Sequence, residues 1–311
     1  MNILVTLNDA YVVPLLIMLS SLFKHHDGIS VTVYVFWSSL TQENRERISA
    51  CVSKYDGQVS FVYVDSELFA DAPVLRYFSK EMYYRILCGH LIPVTEDRVL
   101  YLDPDILIRG SIVELYHMDF SGFCIIGVED YAINHNMAEK KKAIGLSEEN
   151  IYINSGVLLF NLKQMRERFV LSDFLDLLEQ YHDFLSYPDQ DMINLYFKGD
   201  ITVVDRKYNY DTAYTSVKHM MCHMLGFDRS ERSYPVILHY MGDIKPWHVG
   251  YYESCCFMYY SYLVPYLSLK ERMRFLCKPF YLLVRAMKVL FVYWPSYVFD
   301  KLKYRSKKDR R

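Results

Sequence analysis

A chain of 311 residues with 52% hydrophobic and 23% charged content can bury a sizeable core, which excludes a disordered chain and fits one large domain or one domain with an appendage. The net charge of −2 conceals a division: up to Trp247 the chain carries 22 Lys+Arg against 33 Asp+Glu, and beyond it 13 against 4. Seven scattered Cys, with no C-x-x-C pair, exclude a disulfide framework and a zinc ribbon, so a reducing cytoplasm is the simplest setting.

Asn2 to Leu7 (NILVTL) is a short β-rich run, ended by Asn8-Asp9. Tyr11 to Phe23 has the look of a signal-peptide core but lacks a basic lead-in, and its apolar spacing predicts a helix after the strand. No segment has eighteen uncharged apolar residues, so no membrane-spanning helix is expected. Val31 to Phe36 and Val59 to Val64 read as further strands, with a helix between them capped by Thr41 and running through Tyr55. Strands alternating with helices predict a mostly parallel sheet covered on both faces.

Ser79 to Pro93 (SKEMYYRILCGHLIP) reads as a helix that carries Arg85, either in a structural salt bridge or in contact with a pyrophosphate. The next stretch, Arg98 to Arg109 (RVLYLDPDILIR), is two apolar runs parted by Asp103-Pro104-Asp105. Runs this short suit buried strands, and Pro104 biases Asp103 away from helical geometry. Two carboxylates therefore end a strand, where open α/β sheets bind ligands, and at i and i+2 both can reach one cation. Oxygen pairs of this kind suit Mg²⁺ or Mn²⁺. A solvated turn is the plain alternative.

Farther on, Ser111 should cap a short helix, and Phe123 to Val128 is a strand ending at Glu129-Asp130. In Ile151 to Leu162 (IYINSGVLLFNL), Asn154-Ser155-Gly156 interrupts an apolar pattern, as either a bulge or a site. Lys163 to Gln180 reads as one amphipathic helix, and Pro188-Asp189-Gln190-Asp191 as a helix start that also presents Asp189 and Gln190 to a ligand. Ile201 to Val204 is a strand, followed by the polar, Tyr-rich Asp205 to Tyr214. His219 and His223 have metal-ligand spacing in a Met-rich setting that favours a plain helix. Val236 to Met241 is a last strand bearing His239, and Gly242, Lys245 and Trp247 follow. There a His completes a metal shell, a Gly admits backbone to phosphate and a Lys neutralises it.

From Tyr251 the chain interleaves aromatics with Lys and Arg. Phe280, Leu283, Val284, Met287 and Phe291 repeat at helical spacing, with Arg285 and Lys288 off the stripe. A basic aromatic helix of this type lies in a membrane interface or packs on the domain. No nucleic-acid-binding fold accompanies the charge.

Taken together, the ordered motifs resemble glycosyltransferase family 8, the retaining UDP-sugar enzymes that include bacterial lipopolysaccharide galactosyl- and glucosyltransferases and glycogenin. They are Asn8 with Tyr11, YYRI at Tyr83 to Ile86, YLDPDILI at Tyr101 to Ile108, INSGVLLFNL at Ile153 to Leu162, PDQDMIN at Pro188 to Asn194, and HYMGDIKPW at His239 to Trp247. Pro104 departs from the commoner Ala but shows only backbone to a ligand. The resemblance implies an α/β fold of the GT-A type over residues 1–250, with a mostly parallel central sheet; residues 251–311 lie outside it and are read from their composition as a basic, aromatic-rich helical tail for membrane-surface attachment.

It also implies Mn²⁺ (or Mg²⁺) held by Asp103, Asp105 and His239 with UDP pyrophosphate. Thr6, Asn8 and Tyr11 would hold uridine, and Gly242 and Lys245 the pyrophosphate. Arg85 and Asp130 would meet the donor sugar or its linkage, while Asn154, Ser155, Asp189 and Gln190 would line the pocket. The expected activity is hexose transfer from UDP-glucose or UDP-galactose to lipopolysaccharide or another cell-surface glycan, by attack on the leaving-group face. The expected location is cytoplasmic, peripheral on the inner face of the cytoplasmic membrane. Two alternatives are an aspartate-nucleophile phosphohydrolase or phosphotransferase, disfavoured by Leu107 and by the three strands that precede Asp103, and a non-catalytic sugar-nucleotide-binding adaptor.

Overall fold

Alternation of side chains along the strands organises the molecule, because nearly every central strand is apolar on both faces. The computed structural model describes residues 1–74, 79–212, 235–248, 251, 256–270 and 272. The strands are β1 (Asn2–Thr6), β2 (Thr32–Trp37), β3 (Gln58–Tyr63), β4 (Arg98–Leu102), β5 (Ile106–Ile108), β6 (Ile125–Glu129), β7 (Ile153–Asn161), β8 (Ile201–Val204), β9 (Tyr210–Asp211) and β10 (Ile237–His239). The α-helices are α1 (Val12–Lys24), α2 (Gln42–Ser53), α3 (Cys88–Leu91), α4 (Val113–Tyr116), α5 (Tyr131–Asn136), α6 (Ala138–Ala143), α7 (Leu162–Arg168), α8 (Leu171–Tyr181), α9 (Pro188–Tyr196) and α10 (Cys256–Leu263).

The main sheet runs β3-β2-β1-β4-β7-β6-β8 and the small one β5-β10-β9. All neighbours in the main sheet are parallel except β7, which is antiparallel to both β4 and β6. The C-terminal ends of β1, β2, β3, β4 and β6 and the start of β7 therefore lie along one edge. Leu4, Tyr34, Phe36, Val99, Tyr101, Leu158 and Phe160 feed a core on one face, packed with α7, α8 and α9 residues such as Met165, Phe174 and Met192. Their neighbours Ile3, Val5, Val33, Val35, Leu100, Leu102 and Leu159 point the other way, into a core with α1 and α2.

The predicted β-helix-β opening is present. A short 3-10 turn at Asp9–Tyr11 precedes α1, which is buried along most of its length, and Thr41 caps α2 by accepting from Asn44 N–H at 3.4 Å.

Two predicted helices differ in form. Lys80–Leu87 is a 3-10 helix leading into the single turn α3, and the side chains of Glu81 through Leu87 are all buried. Packing on every side leaves no solvent face for an amphipathic period to act on, so tertiary contacts set the local conformation. The continuous helix expected over Lys163 to Gln180 is broken between α7 and α8, where Phe169 and Val170 are extended. The break drops the buried Phe169 ring against Phe174 and Tyr196, with centroids 5.8 and 5.5 Å away, and lets Tyr196 OH accept from Val170 N–H at 2.9 Å.

The chain separates into two compact units. One comprises Met1–Thr212 and the described residues of Glu231–Asp243 and contains both sheets. The other includes the described residues from Ile244 on; in it α10 is followed by a 3-10 turn at Val264–Tyr266, and the Trp247 and Tyr259 rings meet at 5.8 Å. His219, His223 and the apolar stripe from Phe280 to Phe291 lie outside the described residues. No helix among the described residues is long and apolar enough to cross a membrane.

Candidate active site

The site is built where β4 ends. Asp103 and Asp105 flank the buried Pro104 between β4 and β5, and the two strands belong to different sheets. Because β5 pairs antiparallel with β10, His239 stands opposite Ile106, one residue from Asp105. His239 Nε2 lies 3.3 Å from Asp105 Oδ1 and 3.7 Å from Asp103 Oδ2. Among the described residues, Asp103, Asp105 and His239 are the group of acidic and imidazole side chains that could hold a metal ion, with ligand atoms all within 4.8 Å of one another. Two carboxylates and one imidazole suit a hard divalent cation, with further oxygens from a ligand. His239 Nδ1 is 2.8 Å from Asn209 Oδ1, the outer contact that orients a metal-binding imidazole.

Gly156 makes room for this group. A Cβ there would stand 2.2 Å from His239 Cε1 and 2.9 Å from Asp103 Oδ2, closer than real side chains approach. Gly156 sits in an irregularity of β7: Gly127 pairs with Leu158, while the next residue, Val128, pairs with Asn154. Ser155, Gly156 and Val157 therefore stand out of the ladder with β6. Gly156 C=O accepts from Asp103 N–H at 2.8 Å, which ties the bulge to the acidic pair. The two sequence readings of Asn154-Ser155-Gly156, bulge and site-lining segment, describe one feature.

Arg85 is 4% exposed and its guanidinium stacks 4.0 Å over the Tyr101 ring. It donates to Ser155 C=O at 2.7 Å and lies 3.4 Å from both Asp103 and Asp189. The structural ion pair is thus present. Burial opposes the Arg85 charge, but Tyr101 and the three nearby carboxylates outweigh it and hold its pKa up. Tyr101 OH hydrogen-bonds Asp103 Oδ1, and burial drives the Tyr101 pKa well above the usual phenol value.

Helix α9 supplies the other wall. Pro188 occupies its first turn, as expected, and Asp189, Gln190 and Asp191 are buried. Asp189 accepts from Ser155 Oγ at 3.2 Å. Burial pushes its pKa up to about 6 against the opposing pull of Arg85. Gln190 Oε1 accepts from Asn154 Nδ2 and Ser155 N–H, each at 3.0 Å, and its Nε2 donates to Asp130 Oδ2 at 3.1 Å. Asp130 also caps α5, accepting from Ile133 N–H at 3.1 Å.

Asp191 plays a structural part, accepting from Tyr152 OH at 2.5 Å and from Ser186 and Tyr187 N–H at 2.7 and 2.8 Å. Asn194 exchanges two hydrogen bonds with Ile153, at 2.7 and 2.8 Å, and so pins the start of β7 to α9.

The remaining candidates belong to several segments. Thr6 ends β1 with Oγ1 3.4 Å from Tyr101 OH, while Asn8 caps the 3-10 turn that Tyr11 closes. Gly242 follows β10 with φ +89°, a conformation that Gly adopts without strain. Lys245 belongs to the second unit, where its N–H donates to His248 Nδ1 at 3.1 Å. Asn209 escaped the sequence reading, because nothing in Arg206-Lys207-Tyr208-Asn209-Tyr210 marks one polar residue above the rest.

This fold and site have known counterparts. The model of glycosyl transferase family 8 matches residues 2–250. A lipopolysaccharide 1,2-glucosyltransferase of Escherichia coli is 29% identical over 258 residues, covering 78% of this chain and 71% of that protein. A lipopolysaccharide 1,3-galactosyltransferase of Salmonella typhimurium is 25% identical over 224 residues, covering 70% and 64%. Among solved structures, galactosyltransferase LgtC in complex with donor and acceptor sugar analogs superposes with a TM-score of 0.76 at 28% identity, over 88% of this chain and all of that one. The expected GT-A fold is thereby borne out, and hexosyl transfer takes precedence over the aspartate-nucleophile and adaptor readings. Enzymes of this family and fold use UDP-sugar donors with a divalent metal, and the acidic cluster is a candidate site for one. The chain belongs to glycosyl transferase family 8.

Proposed function

We propose that the protein is a retaining transferase that moves glucose or galactose from a UDP-sugar to lipopolysaccharide or another cell-surface glycan. The observation that carries this reading is the convergence of Asp103, Asp105 and His239 at the ligand-binding edge of the sheet, with Gly156 leaving space beside them. The named relatives bracket the sugar, one being a glucosyltransferase and the other a galactosyltransferase.

Mn²⁺ (or Mg²⁺) bound by these three residues would supply positive charge against the charge that grows on leaving UDP. Thr6, Asn8 and Tyr11 hold uridine, with Tyr11 stacked on the base, and Gly242 and Lys245 bind the pyrophosphate. Pro104 presents only its backbone to the ligand. Arg85 and Asp130 meet the donor sugar or its linkage, and Asn154, Ser155, Asp189 and Gln190 line the pocket.

Retention follows from attack on the leaving-group face, with the departing phosphate taking the acceptor hydroxyl proton. An amide is a poor nucleophile, and Gln190 Oε1 already accepts from Asn154 and Ser155, which supports this route over double displacement. Asp130 and Asp189 suit the role of partners for sugar hydroxyls. The tail beyond Tyr251 holds the enzyme on the anionic inner face of the cytoplasmic membrane, where a lipid-linked acceptor is within reach, and nucleic acid is not a partner.

The test is transfer from UDP-glucose and UDP-galactose in Mn²⁺ or in EDTA, with wild type and Asp105→Ala. Activity that depends on the metal and on Asp105 supports the reading; activity indifferent to both sinks it. Membrane attachment is tested separately, by fractionating cells that express full-length protein or a truncation at Tyr251. Equal distribution of the two removes the tail as anchor.

A further inference from the structure

We infer that Asn209 is a positioning residue, which fixes the tautomer of His239 through a one-way relay of amides that begins at Asp130. The inference rests on the metal reading of Asp103, Asp105 and His239, and it concerns which imidazole nitrogen carries the lone pair that a metal would take.

Direction along the relay is set by groups whose hydrogen-bonding sense is unambiguous. The backbone N–H of Ser155 donates to Gln190 at 3.0 Å, so the facing atom is the amide oxygen Oε1. Gln190 Nε2 then faces the Asp130 carboxylate, an acceptor, at 3.1 Å. The backbone N–H of Gly156 donates to Asn154 at 2.9 Å, which makes that atom Oδ1 and leaves Asn154 Nδ2 to donate to Gln190 Oε1 at 3.0 Å. Facing Asn154 Oδ1 at 2.8 Å, Asn209 must present its Nδ2 donor. Its other amide atom, Oδ1, is therefore the one 2.8 Å from His239 Nδ1, and an oxygen there accepts only from Nδ1–H. In the neutral ring the lone pair is then on Nε2, the nitrogen that faces Asp105 and Asp103 at 3.3 and 3.7 Å.

The relay works against a local preference. Two carboxylates beside Nε2 favour the opposite tautomer, with Nε2–H donating to them, and that proton would occupy the position a metal needs. Asn209 opposes this by rewarding a proton on Nδ1. Its side-chain partners come from β7 and β10, both distant in sequence, so it links the Gln190 wall of the site to the metal ligand.

The experiment reads the imidazole ¹⁵N shifts of His239 in the full-length, metal-free protein with the ring neutral. It also measures Mn²⁺ affinity from the free-ion electron paramagnetic resonance signal, with and without UDP, for wild type, Asn209→Leu and Asn209→Asp. Wild type is expected to carry the proton on Nδ1. Asn209→Leu, which has no acceptor, is expected to shift protonation toward Nε2 and weaken Mn²⁺ by about 10–100-fold. Asn209→Asp keeps an acceptor facing Nδ1–H but no donor for Asn154 Oδ1, and is expected to retain the Nδ1–H tautomer that Asn209→Leu loses. An Nε2–H tautomer in wild type overturns the inference, as does a tautomer unchanged in Asn209→Leu. Should neither variant fold, the wild-type spectrum decides alone. Nδ1–H in a wild type that takes up no Mn²⁺ at this cluster supports the tautomer assignment and overturns the metal reading instead.

Discussion

The stretch from Asn2 to Tyr63 and the edge formed by Asp103, Asn154 and Gln190 follow opposite rules. In the first, parallel strands alternate with full-length helices, Thr41 caps where a Thr should, and side chains alternate between two apolar cores. In the second, the chain breaks a strand with Pro104, throws a bulge at Gly156, buries Arg85 among carboxylates and fills α9's first turn with buried polar groups. Packing alone asks for regular elements. Holding several charges and amides in fixed mutual directions asks for irregular ones, with the local cost met by the surrounding core.

The comparison predicts which property each region controls. The largest expected effect is on the packing side: Leu159→Ala empties a fully buried position in β7 and should cost about 4 kcal/mol in denaturant unfolding. Transfer per folded molecule should be unchanged, and a matching loss of activity would mean that core and site are not separable in this way. Asp105→Ala is the converse, with transferase activity expected to fall by about 10²–10³-fold at near-wild-type stability. Loss of folding without a specific loss of activity would place Asp105 in the scaffold.

Asp189 bridges the two kinds of region, and pH exposes it. Its ordinary value is 3.8, and burial raises the folded value to about 6. The folded protein therefore binds the extra proton between these values. That contribution to stability is present at low pH and is lost as pH rises through about 6, where ionising the buried group costs up to about 3 kcal/mol. Unfolding of wild type and Asp189→Asn between about pH 4 and pH 7 should show the difference moving in the variant's favour as pH rises. A difference that stays constant would mean Arg85 fully compensates the buried charge. The smallest effect belongs to the regular region: Thr41→Ala should cost about 1 kcal/mol of stability through loss of the cap, with no change in transfer.

The same contrast explains what could be read from the sequence. Alternation and helical spacing revealed the strands and the first helices because burial there depends on residues within one element. Asp103-Pro104-Asp105 and Pro188-Asp189-Gln190 were legible as polar breaks at element ends. The 3-10 form of Lys80–Leu87 was not, because its period is set by neighbours on every side. Nor was the break at Phe169, which answers to rings on Tyr196 and Phe197. Asn209 was hidden for the same reason at the level of one side chain: it bonds Asn154 and His239, both far along the chain, and its local sequence carries no trace of either.

The most direct test of the metal centre is an anomalous-scattering map of crystals soaked with Mn²⁺ and UDP. The predicted result is one strong Mn²⁺ peak shared by Asp103, Asp105 and His239 Nε2. A peak elsewhere, or UDP bound along the sheet edge with no Mn²⁺ on these three residues, would contradict it.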